Sequence, residues 1–170
     1  MEISTPRPPL FHLGRGAVIF GIVNLVRLVA ERVMVGSGSK GTYTLVLTAD
    51  IVLSALLIVG GRGLLKERPW APSAILVSAG ALFVSSVVLF IWMWPYFRAA
   101  AAGGLRTSTD IILGPRLLFY AFLVLACPYA AVTLVRRREA AWPSRGRLVG
   151  WLIGGAAGSG AFVAILIARH

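Results

Sequence analysis

The sequence predicts an all-α fold, a polytopic transmembrane helical bundle of five spans. Three observations carry that expectation. The 170 residues are 58% hydrophobic and only 14% charged, where a soluble domain carries about a quarter charged residues. The apolar residues gather into five stretches of helical length, the requirement for crossing ~30 Å of hydrocarbon. The 17 basic residues, against 6 acidic ones, collect mostly between those stretches, as the positive-inside rule requires.

The same observations exclude several functional classes. A net charge of +11 on a soluble protein would suggest nucleic acid. Here no aromatic residues interleave with the basic ones in the manner of a nucleic-acid surface, so no such partner is expected. Cys127 is the single cysteine, which rules out an intrachain disulfide and a CxxC redox pair. The histidines are His12 and His170, both far from the apolar centres, so neither haem ligation nor a His-based metal site is expected, and no cofactor is assigned.

Residues 1–12 read as an extended N-terminal tail, with Pro6, Pro8 and Pro9. Residues 13–170 form a single transmembrane domain. The first span, about 13–35, is interrupted by Arg27, Glu31 and Arg32 and is followed by no small-residue cleavage pattern, so a cleaved signal peptide is not expected. Its uninterrupted apolar part, Ala17–Val23, is short. A helix lying in the interface is therefore the competing reading, which would leave four spans and move the N-terminus outside. A flexible turn from Gly36 to Gly41 leads to the second span, about 42–59, which Gly60-Gly61-Arg62-Gly63 is expected to end.

The third span, about 71–96, has no charge between Arg68 and Arg98; Trp92, Trp94 and Tyr96 form an aromatic belt at its far end, and Pro95 helps close it. After a small, polar loop, Ser108 or Thr109 caps the fourth span, about 111–135, with Asp110 favourable in its first turn. Pro128 should kink this helix, and Cys127 beside it is expected to be a buried small residue. The fifth span is about 148–168. The loops after the second and fourth spans hold eight basic residues against four in the other two. That asymmetry predicts a multi-pass protein of the plasma (bacterial inner) membrane with its N-terminus cytoplasmic and its C-terminus outside. The cluster Arg136, Arg137, Arg138, Arg145 and Arg147 would then face anionic lipid headgroups.

Two features stand out against this background. The first is an intramembrane polar centre formed by Asn24, Arg27, Glu31, Asp50 and Arg116. In a helical hairpin, residues equidistant from the turn reach equal depth. Arg27 therefore falls opposite Asp50, each about nine residues or roughly 13 Å from the turn. Asn24 lies level with Leu53–Ser54, and Asn24, Arg27 and Glu31 share one helix face. Glu31 is expected to look towards Arg116, and Thr44 and Thr48 to extend the polar strip. A charge in hydrocarbon is costly alone, so these groups should pair. The second feature is a glycine ladder, Gly146, Gly150, Gly154 and Gly158, at a constant spacing of four. Such a groove lets another backbone approach closely, either within the chain or in an oligomer.

No catalytic constellation accompanies them: the cysteine has no adjacent base, and Glu31 and Asp50 each have an arginine nearer than a second carboxylate. An enzyme is not the favoured class. The favoured one is an accessory, assembly or scaffold subunit, packed through the glycine ladder into a larger or homo-oligomeric membrane complex. The alternative is a proton, ion or small-substrate transporter or channel that uses the charges of the first hairpin.

Overall fold

A computed structural model describes residues 8–35, 41–103, 108–137 and 142–168. Every element among them is an α-helix: α1 (Pro8–Val35), α2 (Gly41–Leu65), α3 (Ala71–Gly103), α4 (Ser108–Arg136) and α5 (Arg145–Ala168). All five are long and apolar enough to cross a membrane. The outer surface agrees with that reading. Val26, Val29, Leu118 and Leu125 are each more than 60% exposed, an arrangement that water would penalise and hydrocarbon does not.

The helices are longer than the sequence suggests, for identifiable reasons. Helix α1 starts at Pro8, inside the stretch read as extended tail. Proline suits the first helical position, where its missing N–H would have no partner anyway. Helix α2 continues through Gly60-Gly61-Arg62-Gly63 to Leu65. These glycines do not break the helix because they are contact points. A Cβ on Gly61 would lie 2.7 Å from the Gly14 carbonyl, one on Gly60 2.9 Å from Ile75, and one on Gly63 2.8 Å from Trp70. The helix ends at Leu65, and two residues later Glu67 takes a left-handed φ of 54°. The Arg68 N–H then donates to the Gly63 carbonyl (2.9 Å) and the Glu67 N–H to the Leu64 carbonyl (3.1 Å), the pattern of a Schellman cap.

Helix α3 runs through Pro95 to Gly103, 33 residues in all. In an apolar surrounding, ending a helix exposes several backbone groups, whereas one proline removes a single donor. At roughly 50 Å, α3 outlasts a ~30 Å hydrocarbon layer. Trp94 stacks between Phe90 (5.7 Å) and Phe97 (6.0 Å) near its far end. The side chain of Trp92 lies outside the described residues. Helix α4 begins at Ser108 and α5 at Arg145, each three residues before the start read from hydropathy.

Helix α3 is the centre of the bundle, contacting α2, α4 and α5, while α1 rests mainly on α2. The α1–α2 pair is antiparallel: Gly14 meets Gly61, Gly21 meets Ser54 and Ile58, and Arg27 meets Asp50. This lengthwise packing sets α1 alongside α2 as a fifth helix of the bundle, not across its end. Helix α4 buries one stripe (Leu117, Tyr120, Leu123, Cys127, Ala131 and Leu134) at spacings of three and four, the repeat that keeps one helix face on its neighbour. Cys127 is part of this stripe and is buried. Helices α3 and α5 run parallel and close. A Cβ on Gly155 would strike the Val77 carbonyl, one on Gly80 would strike the Leu152 carbonyl, and Ser85 and Ser159 hydroxyls meet at 2.7 Å.

Candidate intramembrane polar site

The polar site is built where α1 and α2 face each other one turn beyond Gly21. Gly21 has no room for a side chain: a Cβ would sit 2.6 Å from Ile58 and 2.8 Å from the Ser54 carbonyl oxygen. That close approach brings the next polar residue, Asn24, against α2. Asn24 is 1% exposed and Ser54 0%, so their polar atoms require partners inside the protein. The Asn24 amide Nδ2 donates to Ser54 Oγ at 2.8 Å, and Ser54 Oγ donates to the Asp50 carbonyl at 2.7 Å. From the other side Arg27 Nε donates to Asn24 Oδ1 at 3.0 Å. A chain of three hydrogen bonds thus runs Arg27 to Asn24 to Ser54 to the α2 backbone.

Arg27 closes the site. Its Nη2 lies 3.9 Å from Asp50 Oδ2, with both side chains 17% exposed. At this separation the attraction rests on charge and on low local dielectric. The guanidinium carbon sits 4.6 Å from the centroid of the Phe119 ring and 5.9 Å from that of Tyr120. Both distances fall within cation–π range. The positive charge is therefore held by an amide, a carboxylate and two aromatic rings contributed by α1, α2 and α4.

The sequence-level expectations map onto this geometry unevenly. Arg27 and Asp50 meet, and Asn24 reaches Ser54, at the depths that the hairpin spacing gives. The side chains of Glu31, Thr44 and Arg116, and hence the Glu31–Arg116 contact, lie outside the described residues. Thr48 is exposed. Three further residues, Ser54, Phe119 and Tyr120, contribute to the site without belonging to the polar centre read from the sequence. Ser54 is the hydroxyl that relays between Asn24 and α2, and its signal was its depth. Phe119 and Tyr120 supply the aromatic faces; a ring face carries no polar signature, and only their level on the fourth span, three and four residues past Arg116, points to Arg27.

Below the ion pair, Phe20 stacks on Phe119 (5.3 Å) and Phe122 (6.0 Å). Phe20 and Phe122 also form the inner end of a cleft of about 490 Å³ between α1 and α4, floored by Ile75, Ala79 and Leu82 of α3. The aromatic stack stands between this cleft and the charges. Among the described residues, no group of three or more His, Cys, Asp or Glu side chains converges to hold a metal.

No known protein family, curated protein or solved structure matches this chain. Its function has to be read from its own geometry.

The glycine ladder lies elsewhere. A Cβ placed on Gly146, Gly150, Gly154 or Gly158 would meet nothing within 4 Å. Within the chain, α5 packs through Gly155, Leu148 and Ser159 instead, so the ladder leaves an open groove on the outer face of the bundle. The basic residues Arg136, Arg137, Arg145 and Arg147 are all exposed, whereas Arg138 lies outside the described residues. They share one end of the bundle with Arg62, Lys66 and Arg68, since α4 ends and α5 begins where α2 ends.

Proposed function

We propose that this small integral membrane protein serves as an accessory or scaffold subunit that docks another transmembrane helix, from a second copy or a different chain, along the ladder face of α5. The observation that carries this reading is the ladder itself. A Cβ on Gly146, Gly150, Gly154 or Gly158 would meet nothing within 4 Å among the described residues, which leaves the ladder face open to a partner. In lipid there is no hydrophobic gain from burying leucines, so small residues that admit close backbone contact are what drive helix association. Helix α5 also has the most exposed apolar window of the five, 11% buried, which leaves its face accessible. The basic ends of α2, α4 and α5 support a plasma-membrane orientation with those loops cytoplasmic.

In this reading the polar site is a structural pin. It fixes the register of α1 against α2, because a slip of one residue would leave a charge facing hydrocarbon. The transporter alternative draws support from the presence of an ion pair deep in the bundle, yet the Phe20–Phe119–Phe122 stack separates that pair from the α1–α4 cleft. The two readings part on one comparison. In native lipid particles, mass measurement should find the chain with a stoichiometric partner or as an oligomer, and Gly150→Leu with Gly154→Leu should release the monomer with unchanged thermal stability. A wild-type chain that is monomeric and alone refutes the scaffold reading. A pH-dependent flux in liposomes abolished by Asp50→Asn would establish the transporter instead.

A further inference from the structure

We propose that the cleft between α1 and α4 holds one acyl chain of a glycerophospholipid from the surrounding bilayer, with the ester end of that lipid at His12 and Tyr129. The cleft encloses about 490 Å³. Phe20, stacked on Phe119 and Phe122, closes it towards the polar site. His12 marks its other end, eight residues or roughly 12 Å nearer the start of α1. Helix α4 runs opposite to α1, since Phe20 meets Phe122 while Arg27, further along α1, reaches back to Phe119 and Tyr120. The mouth is therefore marked on α4 by Tyr129. Between these ends the walls are small and apolar, with Gly16 and Ala17 on one side and Ala126 and Ala130 on the other. No Asp, Glu, Lys or Arg lines the space. Water would need two to four polar partners, and an apolar cavity of even ~150 Å³ stays dry and takes up hydrocarbon. Left empty, the cleft would forfeit the dispersion contacts of its walls.

The surroundings select an acyl chain over other apolar occupants. Both walls belong to spanning helices whose outer faces expose Ile19 and Leu125 to hydrocarbon, so lipid chains have lateral access. A transmembrane helix needs ~30 Å of uninterrupted length, and the aromatic stack blocks the cleft after less than half of that. The mouth suits the polar end of the same lipid. Tyr129 lies seven residues, roughly 10 Å, short of Arg136 at the end of α4. With the arginines at the phosphate level, the exposed His12 and Tyr129 fall at the ester level beneath it. Imidazole and phenol can each donate a hydrogen bond, and ester carbonyls accept. No residue of α5 lines the cleft, so the proposal stands or falls apart from docking along the ladder.

The test is native mass spectrometry of the full chain in detergent, titrated with dioleoyl phosphatidylcholine. Wild type should retain one lipid per chain. Gly16→Leu and Ala126→Leu fill the cleft from opposite walls, and a Cβ on Gly16 meets nothing within 4 Å. Each should weaken retention by about tenfold, with thermal stability at or above that of wild type because leucine takes up the vacant space. Val29→Leu, on the exposed side of α1 outside the cleft, should leave retention within about twofold. The dioleyl diether analogue, which lacks the ester carbonyls, should bind wild type about fivefold more weakly. His12→Leu with Tyr129→Phe should bind diester and diether alike. Unchanged retention in Gly16→Leu and Ala126→Leu, or an equal loss in Val29→Leu, would overturn the site. Equal binding of diester and diether by wild type would overturn the placement of the ester end. A wild type that retains no lipid, but forms an oligomer that Ala126→Leu dissociates, would give the cleft to another protein chain and overturn the proposal.

Discussion

Gly154 and Gly155 are neighbours in sequence with opposite surroundings, and alanine at each should have opposite effects. A methyl group at Gly155 would strike the Val77 carbonyl oxygen, 2.9 Å from the carbonyl carbon and 3.0 Å from the Cα. These are backbone atoms, which cannot swing aside as a side chain can, so α5 must lift from α3. Forcing an extra methyl into packed space costs about 1–3 kcal/mol. The lift would also strain the 2.7 Å Ser85–Ser159 hydrogen bond, at about 1 kcal/mol. Alanine returns up to ~1 kcal/mol of helix propensity, so Gly155→Ala should lose about 1–3 kcal/mol of stability. At Gly154 a methyl meets nothing within 4 Å, and Gly154→Ala should be neutral or gain up to ~1 kcal/mol. Equilibrium unfolding in mixed micelles, followed by tryptophan fluorescence, reads the difference directly. If the two variants are equally stable, the backbone-to-backbone packing of α3 on α5 is refuted.

Three further outcomes follow from the polar site, each measured by the same unfolding assay. Asn24→Ala removes both the acceptor of Arg27 Nε and the donor to Ser54 Oγ, and should cost about 1–3 kcal/mol; no cost would mean that water or lipid replaces the amide. Arg27→Ala and Asp50→Ala should each cost about 3–5 kcal/mol because the remaining charge is left without its partner. Exchanging them, Arg27→Asp with Asp50→Arg, should recover part of the loss, since Asn24 can turn its amide to donate; a double variant no better than either single one would show that the pair is not coupled. Phe119→Leu keeps the apolar volume but removes the face beneath the guanidinium, at about 0.5–2 kcal/mol, while Phe119→Trp should retain it.

The fold was legible because two simple signals dominate the chain. Apolar runs of spanning length give the five helices, and the hairpin spacing alone places Arg27 opposite Asp50. What the residues did not reveal follows from context that only packing supplies. Gly60, Gly61 and Gly63 read as a helix stop because glycine is a poor helix former in water; against Ile75, Gly14 with Val18, and Trp70 respectively they are instead points of close approach. Pro95 read as an end for the same reason, although the long α3 continues past it. In α5 two interleaved sets of small residues, the ladder and the Gly155–Ser159 set, cannot be ranked by spacing, since both have the period of four. Only the position of Val77 and Gly80 on α3 tells which one is occupied. The aromatic half of the polar site was hidden for a different reason: a phenylalanine that binds a cation carries no polarity of its own.

That hidden half has a consequence for how the bundle holds together. Helices α1 and α4 make few backbone contacts, and a cleft separates them between His12–Phe20 and Phe122–Ala130. What bridges them is Phe20 on the Phe119 and Phe122 rings, with Arg27 over Phe119 and Tyr120. The guanidinium thus serves two partners at once. Through Asn24 and Asp50 it fixes α1 on α2, and through the two rings it ties that hairpin to α4. Lysine at this position would keep the charge but not the planar group that can lie on a ring while donating sideways from Nε. Arg27 is the residue whose loss should loosen three helices together, whereas loss of Asp50 loosens only the hairpin. Hydrogen exchange in α4 near Tyr120 should therefore rise in Arg27→Ala and stay near wild type in Asp50→Ala. Equal exchange in the two variants would show that the rings, without the cation, hold α4 in place.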